Sequence, residues 1–158
     1  MAIQVGDSIP DANINILKDG VQAVSTGEFF KGRKVVLFAV PGAFTPTCSA
    51  KHLPGYIEHA EAFTAKGYDV ACLSVNDAFV MSAWAKSQNA PESIQMIADG
   101  NAEFTKALGL ELDATPFGMG LRAKRFALVA DDGEVTQLFV EAPGEFSVSS
   151  AESVLTAL

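Results

Sequence analysis

The sequence predicts an α/β fold in which a central mixed β-sheet is flanked by helices on both faces. Three observations lead there. Short apolar runs rich in β-branched residues, VVLFAV (35–40), DVACLSV (69–75) and IQMIA (94–98), alternate with helical patterns, the order expected of parallel strands joined by crossover helices. Late in the chain, RFALVA and EVTQLFV flank Asp131-Asp132-Gly133, a hairpin signal, although the loop looks longer than the ideal two residues. Finally, 158 residues with 49% hydrophobic and 19% charged composition suit one packed core. Such a chain buries about two-thirds of the surface its unfolded form exposes. No linker, repeat or low-complexity tract divides it, so residues 1–158 are expected to form a single domain.

The elements follow in order. After the first apolar run, YIEHAEAFTAKG (56–67) places Tyr56, Ile57, Ala60 and Phe63 on one helix face, with Gly67 as its stop. Asp77 is positioned to cap DAFVMSAWAKSQ, where Phe79, Val80, Ala83 and Trp84 recur at helical spacing. Asn101 is the expected cap of a short helix carrying Phe104, Ala107 and Leu108 and closed by Gly109. Ser149-Ser150-Ala151-Glu152 reads as a capping box opening a last amphipathic helix with Val154 and Leu155. A β-α-β-α-β core followed by a hairpin and a helix suits a thioredoxin-like sandwich. A flavodoxin-like sheet is the alternative, and the late hairpin counts against it.

Eleven Lys plus Arg against nineteen Asp plus Glu give a net charge of −8. So acidic a chain repels nucleic-acid phosphates and anionic membranes, and the basic cluster RAKR (122–125) is too small to reverse that field. The opening MAIQVGDSIPD lacks a basic stretch followed by an apolar core, and no apolar run approaches the ~20 residues of a membrane helix. The expectation is a soluble, cytoplasmic protein. Two cysteines, Cys48 and Cys72, make no disulfide framework and match a reducing compartment.

The chemistry concentrates in PGAFTPTCSAKHLPG (41–55), just past the first apolar strand. Cys48 lies where a strand hands over to a helix, the side of an open α/β sheet where ligands bind. A cysteine in a helix's first turn faces unpaired N–H groups and the positive end of the dipole, which favour the nucleophilic thiolate. The alternative is a small buried hydrophobe. Pro41, Thr45 and Pro46 argue against it, because they pack cores poorly and shape tight loops well. The C-x-x-C of a dithiol oxidoreductase is absent: Thr45 stands three residues before Cys48 and Lys51 three after. Thr45 therefore either hydrogen-bonds the thiolate or its substrate, or bonds locally to backbone near the helix start; spacing leaves both open. His52, one helical turn after Cys48, is a candidate general base or a structural histidine. Cys48 and His52 are half a metal site at best, and His59 would lie ~16 Å from Cys48 along an unbroken helix. No metal, flavin, haem or nucleotide is implied, so no cofactor is expected.

PGAFTPTC matches the P-x-x-x-T-x-x-C signature of peroxiredoxins. With PGAFTPTCSAKHLPGY, CLSVNDAFVMSAW (72–84) and KRFALV (124–129), nearly the whole chain resembles the peroxiredoxin 5 subfamily, called type II in plants. The resemblance implies a thioredoxin-like thiol peroxidase in which Cys48 is the peroxidatic cysteine. Thr45 would then bond the peroxide through its hydroxyl, and Pro41 would shield the sulfur. The family's arginine matches Arg125, whose permanent charge and fixed donors suit a thiolate and a polarising O–O bond. Thr47, Phe44 and His52 are further candidates for substrate contact.

Relatives with a resolving cysteine carry it before the last helix, where this chain reads EAPGEFSVSSAESVL (141–155). Cys72, inside an apolar strand, is expected to be buried packing. That implies a one-cysteine cycle in which a hydroperoxide oxidises Cys48 and an external thiol, glutathione with glutaredoxin or else thioredoxin, restores it. The resemblance also implies a homodimer, with Phe44 and FGMGL (117–121) as candidate contacts. The competing role is a peroxide sensor signalling through a partner protein, and the missing C-x-x-C disfavours a dithiol–disulfide exchanger.

Overall fold

In the computed structural model, residues 2–158 are described, and the side chain of Cys48 lies outside what is described. The chain opens with β1 (Asn13–Leu17), β2 (Val21–Ser25) and α1 (Thr26–Phe30). β3 (Lys34–Ala39) leads through the 40–47 loop into a π-wound turn, Cys48–His52, continued by α2 (Leu53–Glu58) and α3 (Ala60–Ala65). The middle holds β4 (Asp69–Ser74), α4 (Ala78–Ser87), β5 (Ile94–Ala98) and α5 (Glu103–Leu108). A small antiparallel pair, β6 (Glu111–Asp113) and β7 (Leu121–Ala123), precedes the hairpin of β8 (Phe126–Asp131) and β9 (Glu134–Val140). The last helix is α6 (Ala151–Thr156).

Seven strands form one mixed sheet in the order β2-β1-β5-β4-β3-β8-β9. The inner strands β3, β4 and β5 run parallel, and β1 and β8 join them antiparallel. This is the thioredoxin-like arrangement the element order predicts. Alternating residues of β3 point to opposite faces. Val35, Leu37 and Ala39 meet Phe29, Phe30, Phe104 and Leu108 from α1 and α5. Val36 and Phe38 meet Tyr56, Phe63 and Trp84 from α2, α3 and α4, together with Val154 of α6. The sheet thus splits the core into two compartments.

Several sequence expectations are corrected. The N-terminal hairpin was not anticipated, although Asp19-Gly20, with φ of 52° and 97°, supplies the same turn chemistry as the late hairpin. That late loop is in fact the ideal two residues: Asp131 pairs with Glu134, and Asp132 and Gly133 both take positive φ. The helix expected over 56–67 is two helices meeting at His59, and winding begins earlier, since residues 46 and 47 are already helical. Pro54 lacks an N–H to give to the carbonyl four residues back, and the five residues 48–52 preceding α2 are π-wound. Asn101 does not cap α5. The buried Asp99 accepts the N–H groups of Phe104 and Thr105 and the Thr105 hydroxyl instead. At α6 the cap is Ser150, which accepts from Ser153 N–H at 3.2 Å. Asp77 does cap α4, accepting from Val80 N–H at 2.8 Å.

Candidate functional site at the ends of three strands

Strand register brings the site together. Ala39 of β3 pairs with Phe126 of β8, and Phe126 pairs with Val140 of β9. The chain leaving β3 into the 40–48 segment, Arg125 just before β8, and Glu141 just after β9 therefore share one edge of the molecule. The Glu141 N–H donates to the Arg125 carbonyl at 3.0 Å, extending that ladder.

The 41–48 loop is held from several sides. Ala43 N–H donates to Asn76 Oδ1 at 3.0 Å, and Asn76 also accepts the Ser74 hydroxyl at the end of β4. Thr45 Oγ1 donates to the Gly42 carbonyl at 2.7 Å, so its proton serves the local backbone while its lone pairs are left to accept from another donor. Phe44 takes a left-handed φ of 65° and is 55% exposed, a conformation that costs a non-glycine residue about 1–3 kcal/mol. The helix then begins at Pro46, and Ser49 N–H reaches back to the Thr45 carbonyl at 3.0 Å. The Cys48 backbone sits in the first turn of this helix, as its spacing from the strand predicts.

Beside that turn lies a cavity of about 380 Å³, lined by Pro41, Thr47, Leu112, Phe117, Arg125 and Glu141 among others. Pro41, Thr47 and Arg125 are thus brought together from distant parts of the chain. Phe44, Thr45 and His52 are not among its walls.

His52 in particular is corrected as a substrate contact. It has no exposed surface, and both ring nitrogens are taken. Arg125 Nη1 lies 2.8 Å from Nδ1, and Nε2 lies 3.1 Å from the Ser149 carbonyl. A guanidinium only donates and a carbonyl only accepts, so the ring is the neutral tautomer with its proton on Nε2. Burial, reinforced by the Arg125 charge, lowers its pKa from 6.5 to about 3. The ring packs between Phe38 and Phe146, with centroids 5.0 Å away on each side. The Arg125 guanidinium also lies 5.9 Å from the Phe146 ring centre, within cation–π range.

Two further groups complete the arrangement. Tyr56 OH donates to the Ser149 carbonyl at 2.8 Å. Burial pushes its phenol pKa well up, helped by the nearby Cys72 and Glu141, so it stays a neutral donor. Glu141 is buried, and its Oε2 accepts Ser147 N–H, Ser149 N–H and the Ser149 hydroxyl at 2.7–2.8 Å. Burial pushes this carboxyl up, but the Ser149 hydroxyl and the N–H groups of Ser149, Ser147 and Val148 outweigh it and hold it below its ordinary range. Sequence reasoning placed Tyr56 only on a core face and passed over Glu141. The usable signal was an acidic residue directly after an apolar strand, followed by serines able to satisfy it.

Among the described residues, no cluster of His, Cys, Asp and Glu is suited to a metal, and no helix is long and apolar enough to cross a membrane. Cys72 is fully buried on β4, paired in register with Phe38.

Comparison with known proteins gives this geometry a family. The redoxin family profile matches residues 4–155. A peroxiredoxin-2B from Arabidopsis thaliana is 51% identical over 99% of this chain and 98% of its own. The chain belongs to the peroxiredoxins. Among solved structures, reduced Prx3 from Vibrio vulnificus in complex with hydrogen peroxide is 56% identical, with a TM-score of 0.94 over 98% of each chain. Peroxiredoxin 5 from Alvinella pompejana is 34% identical, with a TM-score of 0.85 over 98% of this chain and 97% of that one. Thiol peroxidase chemistry is thus the family's business, and the thioredoxin-like sheet is its fold.

Proposed function

We propose that this peroxiredoxin reduces hydrogen peroxide and alkyl hydroperoxides at Cys48 and is recycled by an external thiol. The observation that carries the reading is the meeting of Arg125, Pro41 and Thr47 in one cavity beside the helix turn that begins at residue 46. A cysteine in that turn gains thiolate character from the helix end and from a guanidinium. The thiolate attacks the terminal peroxide oxygen, the O–O bond breaks, and the leaving alkoxide takes a proton, giving Cys–SOH and an alcohol or water. The Arg125 guanidinium stabilises charge spread over both oxygens, Thr45 Oγ1 accepts the peroxide O–H, and Pro41 keeps water from the sulfur. One thiol then condenses with Cys–SOH, releasing water, and a second thiol attacks the mixed disulfide to restore Cys48. The V. vulnificus relative's complex with hydrogen peroxide supports the substrate.

Two features support an external thiol as the reductant, and not an internal one; glutathione with glutaredoxin is the system we propose. Residues 141–155 hold serines where a resolving cysteine would stand, and Cys72 is sealed in the core. The homodimer we propose would place Phe44 and Phe117, both exposed, at its contact beside the site. Steady-state peroxide consumption with glutathione–glutaredoxin and with thioredoxin side by side tests the cycle, and Cys48→Ser must abolish it. Turnover that stops after one equivalent with every reductant would convert the reading into a sensor.

A further inference from the structure

We infer that Glu141 is a positioning residue for peroxide reduction, setting the guanidinium of Arg125 through Ser149 and His52. The inference rests on the peroxidase reading above and adds to it a control element outside the 41–48 motif.

The chain of contacts is continuous. Glu141 Oε2 gathers Ser147 N–H, Ser149 N–H and the Ser149 hydroxyl. The two from Ser149 fix the orientation of that residue. Its carbonyl then receives two donors, His52 Nε2–H at 3.1 Å and Tyr56 O–H at 2.8 Å. With its proton committed to that carbonyl, the imidazole can present only a lone pair on Nδ1, and Arg125 Nη1 donates to it at 2.8 Å. From the other side, the Glu141 N–H holds the Arg125 carbonyl at 3.0 Å. Glu141 thus grips Arg125 at the backbone directly and at the guanidinium through two intermediates.

The physical need is clear. An arginine has a long flexible stem, and its fork is selective only when one edge is anchored. An anchor that is itself a neutral, fully buried ring adds no competing charge, and it holds the fork at a fixed angle facing the cavity. If His52 turned over to carry its proton on Nδ1, two donors would face each other and the guanidinium would swing away. The two Ser149 bonds to Glu141 prevent that by holding the Ser149 carbonyl where only Nε2–H satisfies it. The other charged residues lining the cavity, Lys124 and Glu145, are exposed and lie outside this chain.

The test is a double-mutant cycle on the second-order rate of Cys48 oxidation by hydrogen peroxide, measured by stopped-flow on the full chain. Glu141→Gln is expected to slow oxidation about tenfold when Arg125 is present and less than twofold in an Arg125→Lys background, because neighbours acting through one group are not additive. Equal slowing in both backgrounds overturns the inference, since a general structural role acts regardless of Arg125. Arg125→Lys alone leaving the rate untouched would instead sink the peroxidase role of Arg125, a separable failure. An independent measurement uses the unaltered protein. Nitrogen-15 NMR of the His52 ring is expected to show a neutral Nε2–H tautomer at neutral pH, and an Nδ1–H tautomer or an imidazolium overturns the inference even if Glu141→Gln fails to fold.

Discussion

Trp84 Nε1 donates to Ser49 Oγ across 3.0 Å. The bond joins a fully buried ring on α4 to the second residue of the π-wound turn. π-winding is a strained way to continue a helix, and here a side chain from another layer holds it in place. Trp84→Phe removes the donor together with the second ring of the indole, leaving a cavity in a fully buried site. It should cost about 2–3 kcal/mol, read as a lower urea midpoint at unchanged slope, and should speed hydrogen exchange of the amides in 48–52. Unchanged exchange there would show that the turn holds without the tryptophan.

His52 predicts acid sensitivity. Its folded pKa of about 3 lies below the ordinary 6.5, so between those values the unfolded chain binds the extra proton. Stability from this group is complete above pH 6.5 and falls by about 1.4 kcal/mol per pH unit as acid is added. Glu141, depressed from 4.5, adds its own loss only below that value. Urea melts from pH 4.5 to 7 should show the slope, and His52→Gln should flatten it. A wild-type curve already flat over that range refutes the assignment.

Gly42 is buried where three side chains converge. A Cβ there would lie 3.0 Å from Arg122 Nη1, 3.1 Å from Thr45 Cγ2 and 3.3 Å from Met119 Cε. The arginine and methionine ends can give way. Thr45 is tied to Gly42's own carbonyl and can yield only by moving the loop. Gly42→Ala should slow Cys48 oxidation about tenfold, for about 1 kcal/mol of stability lost. Stopped-flow rates matching wild type would mean the loop absorbs the methyl without consequence.

Asp99 offers the opposite pattern. It caps α5 with three bonds, and α5 packs in the compartment with Phe29 and Phe30. Asp99→Ala should cost about 2 kcal/mol in a denaturation experiment while peroxide oxidation keeps its rate. A parallel fall in rate would tie α5 to the site.

The inner strands and the late hairpin were legible because buried apolar runs and an Asp-Gly turn are local signals. So was the 41–48 loop, whose prolines and threonine are contiguous. The N-terminal strands were overlooked although Asp19-Gly20 marks them and Asn13-Ile14-Asn15-Ile16 alternates polar with apolar; the run is short, and asparagine is a poor strand former. The caps at Asp99 and Ser150 differ from the expected residues because capping depends on where the chain turns, not on which polar residue stands nearest. His52 looked like a site residue from its place one turn after Cys48. Only the fold shows that 97 residues of separation vanish between it and Ser149.

The division of the interior by the sheet has an evolutionary consequence. Residues around α1 and α5 share no wall with the cavity, so that half can accumulate substitutions whose fitness cost is abundance alone. The half beneath α2 carries His52, which bonds Arg125, and Tyr56, which shares the Ser149 carbonyl with that ring, and there a change of the same size should alter turnover too. Lineages of this protein should therefore drift unevenly, fast on one side of a single layer of strands and slow on the other.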